Sequence, residues 1–172
     1  VDLSGFTQLI YLSQGHEKIM PLVLKTLQRF YNESEQAAQR SNDITIISTT
    51  GDGFIAIASG ELPSRRAVMF GREVGQLFDK YVKPVLHSLP FRQHIALRIA
   101  FHHGRTYRVE IGGQCLSDRF LYVGDDLNLL SRAVNSQVAR KTGFAVTRSF
   151  YQRLMLKGKK TAVPDEVILD RN

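Results

Sequence analysis

The sequence predicts an α+β fold in which helices flank a central, mostly antiparallel sheet. Three observations carry this reading. Two β-rich runs, "DITIIST" (43–49) and "FIAIAS" (54–59), flank Gly51-Asp52-Gly53 and read as a hairpin. Residues 17–40 repeat Ile19, Val23, Leu27 and Phe30 at helical spacing. The order along the chain, β-α-β-β-α-β-β-β-α-β-α, mixes hairpins with helices, which favours helices packed on an antiparallel sheet.

Each element has a local reason. "VDLSGF" reads as a strand entered midway and closing at Asp2, and "LSGFT" supplies small and polar residues that can start a helix. Pro21 is tolerable only because it falls near the start of the 17–40 helix. A second helix spans 64–82 and is expected to close before Pro84. "HIALRIAFHH" (94–103) and "TYRVEIGG" (106–113) read as a hairpin turning near Gly104 and Arg105. "RFLYV" (119–123) is a short strand, followed by a helix over 126–139 with Asp125 or Asp126 as N-cap. A strand "GFAV" (143–146), a helix opened by Thr147 and an apolar run "VILD" (167–170) complete the chain.

Composition bounds the function. At 172 residues the chain is expected to be one domain with a sizeable core, and its 43% hydrophobic and 23% charged residues are those of an ordinary globular protein. No apolar run approaches the ~20 residues of a membrane span, so no membrane role is expected within this chain. Cys115 is the single cysteine, which excludes an internal disulfide or thiolate cluster and fits a reducing, cytoplasmic setting. The net charge of +7 suits an anionic ligand such as a nucleotide. The basic residues are scattered apart from "LKGKK" (156–160) and lack an aromatic RNA motif, so nucleic acid is not an expected partner.

Three constellations remain. Asp2 closes a strand ahead of a helix start, where free N–H groups favour an anion and a neighbouring carboxylate holds a cation. Asp52 lies at a hairpin tip. Asp and Gly are what tight turns use, yet two carboxylates brought together with open phosphate room are also what Mg²⁺ takes. Asn128 and Arg132 are four apart on one helix face, where an amide and a guanidinium can meet one ligand. The five histidines fit no metal spacing, and His102 and His103, read as strand neighbours, point opposite ways.

Taken together, "VDLSGFTQL", "TTGDGFIAIAS", "LRIAFHHGR" and "LYVGDDLNLLSRA" resemble the catalytic domain of class III nucleotidyl cyclases over about residues 1–155. The resemblance implies a palm-like, ferredoxin-like core, a single catalytic domain over 1–172, and a head-to-tail homodimer with its sites at the interface. It implies that Asp2, the carbonyl of Leu3 and Asp52 bind two Mg²⁺ or Mn²⁺ ions per site. It also implies that Ser4, Gly5, Phe6, Thr7 and Arg98 meet the phosphates of a nucleoside triphosphate. Asn128 would orient the ribose and Arg132 would meet the α-phosphate.

The base-selecting positions depart from the family. Adenylate cyclases carry a lysine four residues before the second metal aspartate, and an aspartate or threonine seven before the asparagine. Here those positions hold Ser48 and Leu121. The glutamate and small polar residue of guanylate cyclases do not match either. A pyrimidine nucleotide is therefore expected, as in the bacterial uridylate and cytidylate cyclases of anti-phage defence, with a downstream effector reading the product. An adenylate cyclase with unusual base-selecting residues, or a non-catalytic nucleotide-binding module, are the alternatives. The family's late phosphate-binding lysine has no assigned equivalent among Lys157, Lys159 and Lys160.

Overall fold

In the computed structural model, residues 1–49, 51–90, 94–110, 120–155 and 168–169 are described. Cys115 and "LKGKK", with Lys157, Lys159 and Lys160, lie outside them. The chain divides into two compact units, Val1–Ile99 and Ala100–Asn172. No helix among the described residues is long and apolar enough to cross a membrane.

The first unit begins with β1 (Asp2–Ser4), α1 (Phe6–Ser13), α2 (Ile19–Arg40), β2 (Ile44–Thr49) and β3 (Phe54–Ala58). It continues with α3 (Pro63–Leu77), a π-helical turn (Phe78–Val82), α4 (Lys83–Ser88) and β4 (Ala96–Phe101), which runs on into the second unit. The apolar spacing read along 17–40 folds as expected, burying Val23 and Phe30. The core gathers Leu3, Phe30, Ile44, Phe54, Phe70, Val74 and Phe78. Phe30 meets Phe78 edge-on, with ring centroids 6.4 Å apart, an arrangement aromatic pairs favour.

Two local departures from expectation have clear causes. The helix start at 4–7 develops into a separate helix, α1, because Leu9 gives it a buried face and Ser13 donates back to the Leu9 carbonyl at 2.8 Å. The second helix also does not stop before Pro84. The π-helical turn shifts the ladder, Lys83 N–H bonding the Phe78 carbonyl, so Pro84 falls in the first turn of α4 where its missing N–H costs little.

The second unit holds β5 (Tyr107–Glu110), β6 (Phe120–Val123), α5 (Asp125–Val134), α6 (Gln137–Thr142), β7 (Phe144–Thr147), α7 (Arg148–Met155) and β8 (Ile168–Leu169). Among the described residues, the hairpin expected across Gly104 and Arg105 is not formed. Instead β5 pairs antiparallel with β6, Tyr107 opposite Val123, and 102–106 is irregular. The helix expected over 126–139 is two helices. Ser136 takes extended backbone and its hydroxyl accepts from the Ala139 N–H, an N-cap that ends one helix and starts the next. β7 and β8 run parallel, whereas β1–β4, β2–β3 and β5–β6 are antiparallel.

Candidate active site

Strand β1 places the first carboxylate between two partners. On one side it pairs with β4, Asp2 opposite Arg98 and Leu3 opposite Leu97. On the other it bridges the β2–β3 tip, Asp2 opposite Gly53. The Leu3 N–H donates to the Asp52 carbonyl at 2.9 Å, and the Phe54 N–H to the Val1 carbonyl at 3.0 Å. Residues fifty positions apart in sequence thus meet through backbone pairing, and Asp2 and Asp52 share one neighbourhood.

Arg98 completes this cluster. Its Nε and Nη2 both donate to Asp2 Oδ2, at 3.0 and 2.5 Å. Arg98 and Asp2 are only 11% and 18% exposed, so the pair is better shielded from solvent than a surface ion pair. Burial and then the Asp2 charge hold Asp52 above the usual carboxylate range, while its own backbone N–H and Arg98 pull the other way. Two acids and one guanidinium leave an excess of negative charge.

The turn after β1 adds donors. Gly5 has φ +81° as the N-cap of α1, and a Cβ there would lie 2.6 Å from the His94 carbonyl oxygen, so only glycine fits. The first helical bond runs from the Leu9 N–H to the Gly5 carbonyl at 3.1 Å. The amides of Phe6, Thr7 and Gln8 have no carbonyl one turn back to bond, and they carry the positive end of the helix dipole. Ser4 remains in β1 opposite Ala96.

One supporting residue went unnoticed in the sequence. Tyr31 on α2 donates to the carbonyls of Gly51 at 3.1 Å and Gly53 at 3.2 Å, bracketing Asp52. Burial, then the charges of Asp52 and Asp2, push its phenol up to about 12, so it stays a donor at neutral pH. Its contribution to stability is present below the ordinary tyrosine value and is lost as pH rises towards 12. Tyr31→Phe should cost about 1 kcal/mol in urea unfolding. An unchanged midpoint would mean that the tip is held without it. Its position on a helix gave no signal, since the contact is to backbone twenty residues away.

The remaining residues sit elsewhere. Ser48 is exposed on β2, just past a β-bulge between Ile46 and Ser48 that bends the strand ahead of the tip. In the second unit, Leu121 is 50% exposed on β6 opposite Val109. Asn128 and Arg132 lie one turn apart on α5, both exposed. β4 ends at Phe101, so His102 and His103 are not strand neighbours as read from the sequence. His102 is buried in a polar cluster with Asp126 and Thr147.

The donor set at the first cluster is hard oxygen: two carboxylates and the nearby Leu3 backbone. That set fits Mg²⁺ or Mn²⁺, which bind through one or two carboxylates and leave room for water and phosphate oxygens. Among the described residues there is no cluster of three or more His, Cys, Asp or Glu side chains, so the donor set is not a complete protein cage for zinc.

The α+β fold has a counterpart among solved structures. The chain is similar to the crystal structure of the guanylyl cyclase Cya2, with a TM-score of 0.66 and 18% identity, over 95% of this chain and 82% of that one. No family model matches the sequence, and no curated protein does.

Proposed function

We propose that this protein is a nucleotidyl cyclase that converts a nucleoside triphosphate into a 3′,5′-cyclic nucleotide and pyrophosphate, acting as a single catalytic domain within a head-to-tail homodimer. The observation that carries the reading is the meeting of Asp2 and Asp52 beside the first-turn amides of α1, with Arg98 bonded to Asp2. The cyclase fold supports it.

The chemistry asks for little covalent help from the protein. The ribose 3′-hydroxyl attacks the α-phosphorus in line, its proton passes to solvent water, and the bond to the pyrophosphate oxygen breaks so that pyrophosphate leaves. Asp2, Asp52 and the Leu3 carbonyl would hold two Mg²⁺ or Mn²⁺ ions, whose charge would lower the hydroxyl's pKa and offset that of the phosphates. The amides at Ser4 to Thr7 and the Arg98 guanidinium bind phosphate oxygens. Asn128 orients the ribose, and Arg132 meets charge that builds at the α-phosphate, an interaction stronger in the transition state than before it. Each site takes its aspartates from one subunit and Asn128 with Arg132 from the other, which suits the exposure of both on α5.

The substrate we assign is a pyrimidine nucleotide, UTP or CTP, made for a defence-type signal read by a separate effector. The reasoning is the absence of a charged purine-selecting pair at Ser48 and Leu121, a small polar and an apolar residue. Purified protein is incubated with ATP, GTP, CTP and UTP in Mg²⁺ or Mn²⁺, and products are identified by mass. Cyclic UMP or cyclic CMP is the expected product. Cyclic AMP would assign an adenylate cyclase with unusual pocket residues. Cyclic GMP would align the chain with the activity of its structural neighbour. No product from a confirmed dimer would favour a nucleotide-binding module.

A further inference from the structure

The second unit contains a buried polar cluster that the cyclase reading leaves without a role. The His102 side chain is 4% exposed, and the residue lies just past the end of β4. Its Nε2 is 2.9 Å from Asp126 Oδ1, and its Nδ1 is 2.9 Å from Thr147 Oγ1. Asp126 Oδ2 accepts from the Arg105 N–H at 2.6 Å. Ser149 Oγ, 3.1 Å from Thr147 Oγ1, donates to the His103 carbonyl at 3.0 Å. Gly104 is required within this loop, because a Cβ there would collide with the Asp126 carboxylate and His102 Nε2.

Asp126 is the second residue of α5. Its carboxylate sits in the first turn, where it complements the helix dipole, and here it also ties that turn to the 102–105 loop. Asn128 follows two residues later and Arg132 one turn beyond that. Both are exposed, so their placement rests on the helix that carries them. Thr147 is 3% exposed at the end of β7, so His102 links the start of α5 to a buried strand.

We propose that His102, acting through Asp126, is a positioning residue that sets the N-terminal turn of α5 and thereby the aim of Asn128 and Arg132. The inference rests on the cyclase reading for its consequence in catalysis. In the tautomer that carries its proton on Nε2, Nε2–H donates to Asp126 and Nδ1 accepts from the Thr147 hydroxyl, so both ring nitrogens are engaged. A histidine bonded at both nitrogens fixes distance and direction between two elements that have no backbone pairing at this point. Misaiming the Asn128 and Arg132 pair would act on the transition state more than on substrate capture.

The test compares two isosteric readings of the ring in the 172-residue chain. Gln at position 102 presents an amide where Nε2 stood and can still donate to Asp126, whereas Asn presents one where Nδ1 stood and cannot. His102→Asn is expected to lower kcat about tenfold or more with KM within about twofold. His102→Gln should retain most of kcat, and His102→Asn should have no further effect in an Asp126→Ala background. Hydrogen exchange of amides 127–134 should quicken in His102→Asn, with protection of the β2–β3 hairpin unchanged. Equal kcat for the Asn variant and wild type, equal loss in the Gln and Asn variants, or additive effects with Asp126→Ala would each overturn the proposal.

Failure of the cyclase reading is distinguishable. If wild-type protein makes no cyclic nucleotide, the exchange experiment alone decides. Faster exchange confined to α5 upholds the anchoring, and unchanged exchange removes it.

Discussion

Asp52→Asn is expected to abolish cyclic-nucleotide formation while leaving the metal-free protein at least as stable as wild type. The two halves of this result have separate causes. On the proposed reading Asp52 holds the divalent ions, and its loss removes several kcal/mol of transition-state stabilisation, so turnover should fall by ~10³-fold or more. Stability goes the other way because Asp52 is held above the usual carboxylate range by burial and by Asp2. A carboxyl raised on folding stabilises the fold only while protonated, and that contribution is lost as pH rises through its folded value. Above that value the ionised group therefore opposes folding, and an amide relieves it. Thermal unfolding in EDTA and in Mn²⁺ checks both. Wild type should be stabilised by Mn²⁺ and the variant should not. Retained cyclase activity in both Asp52→Asn and Asp2→Ala would sink the two-ion assignment.

Mixing two inactive variants is expected to restore activity. Asp52→Asn lacks the carboxylate proposed to hold the ions, and Arg132→Ala lacks the proposed α-phosphate contact, with turnover expected to fall ~10²-fold or more. In a head-to-tail dimer each site draws the aspartates from one subunit and Arg132 from the other. A heterodimer of the two variants then holds one intact site and one doubly damaged site. Random exchange makes half of all dimers mixed, so about a quarter of wild-type activity should return. Sites built within one chain would return none. Co-expression, or slow exchange through dilution, followed by product quantification by mass gives the answer.

Much of the fold was legible because its signals are local. The Ile19, Val23, Leu27 and Phe30 spacing marked α2, and alternation about Gly51-Asp52-Gly53 marked β2 and β3. The α+β class follows from the same patterns, and the similarity in fold to Cya2 agrees with it. What failed was also local, but decided by neighbours. A π-helical turn carried the helix past Pro84, and a serine cap at Ser136 divided the helix over 126–139. The hairpin read across Gly104 and Arg105 gave way to pairing of β5 with β6, since strand propensity does not choose a partner.

The sequence by itself determined which residues could do chemistry: Asp2, Asp52 and Arg98 near turns or strands, and Asn128 with Arg132 on one helix face. Motif order supplied that list without a single distance. Only the tertiary structure decided that β1 runs between β4 and the hairpin tip, which brings Asp2, Asp52 and Arg98 together. Only it revealed Tyr31 under the tip and His102 behind α5. Helical and strand periods are set by neighbours a few residues away, whereas these contacts join segments twenty to ninety-six residues apart, and no local pattern encodes them.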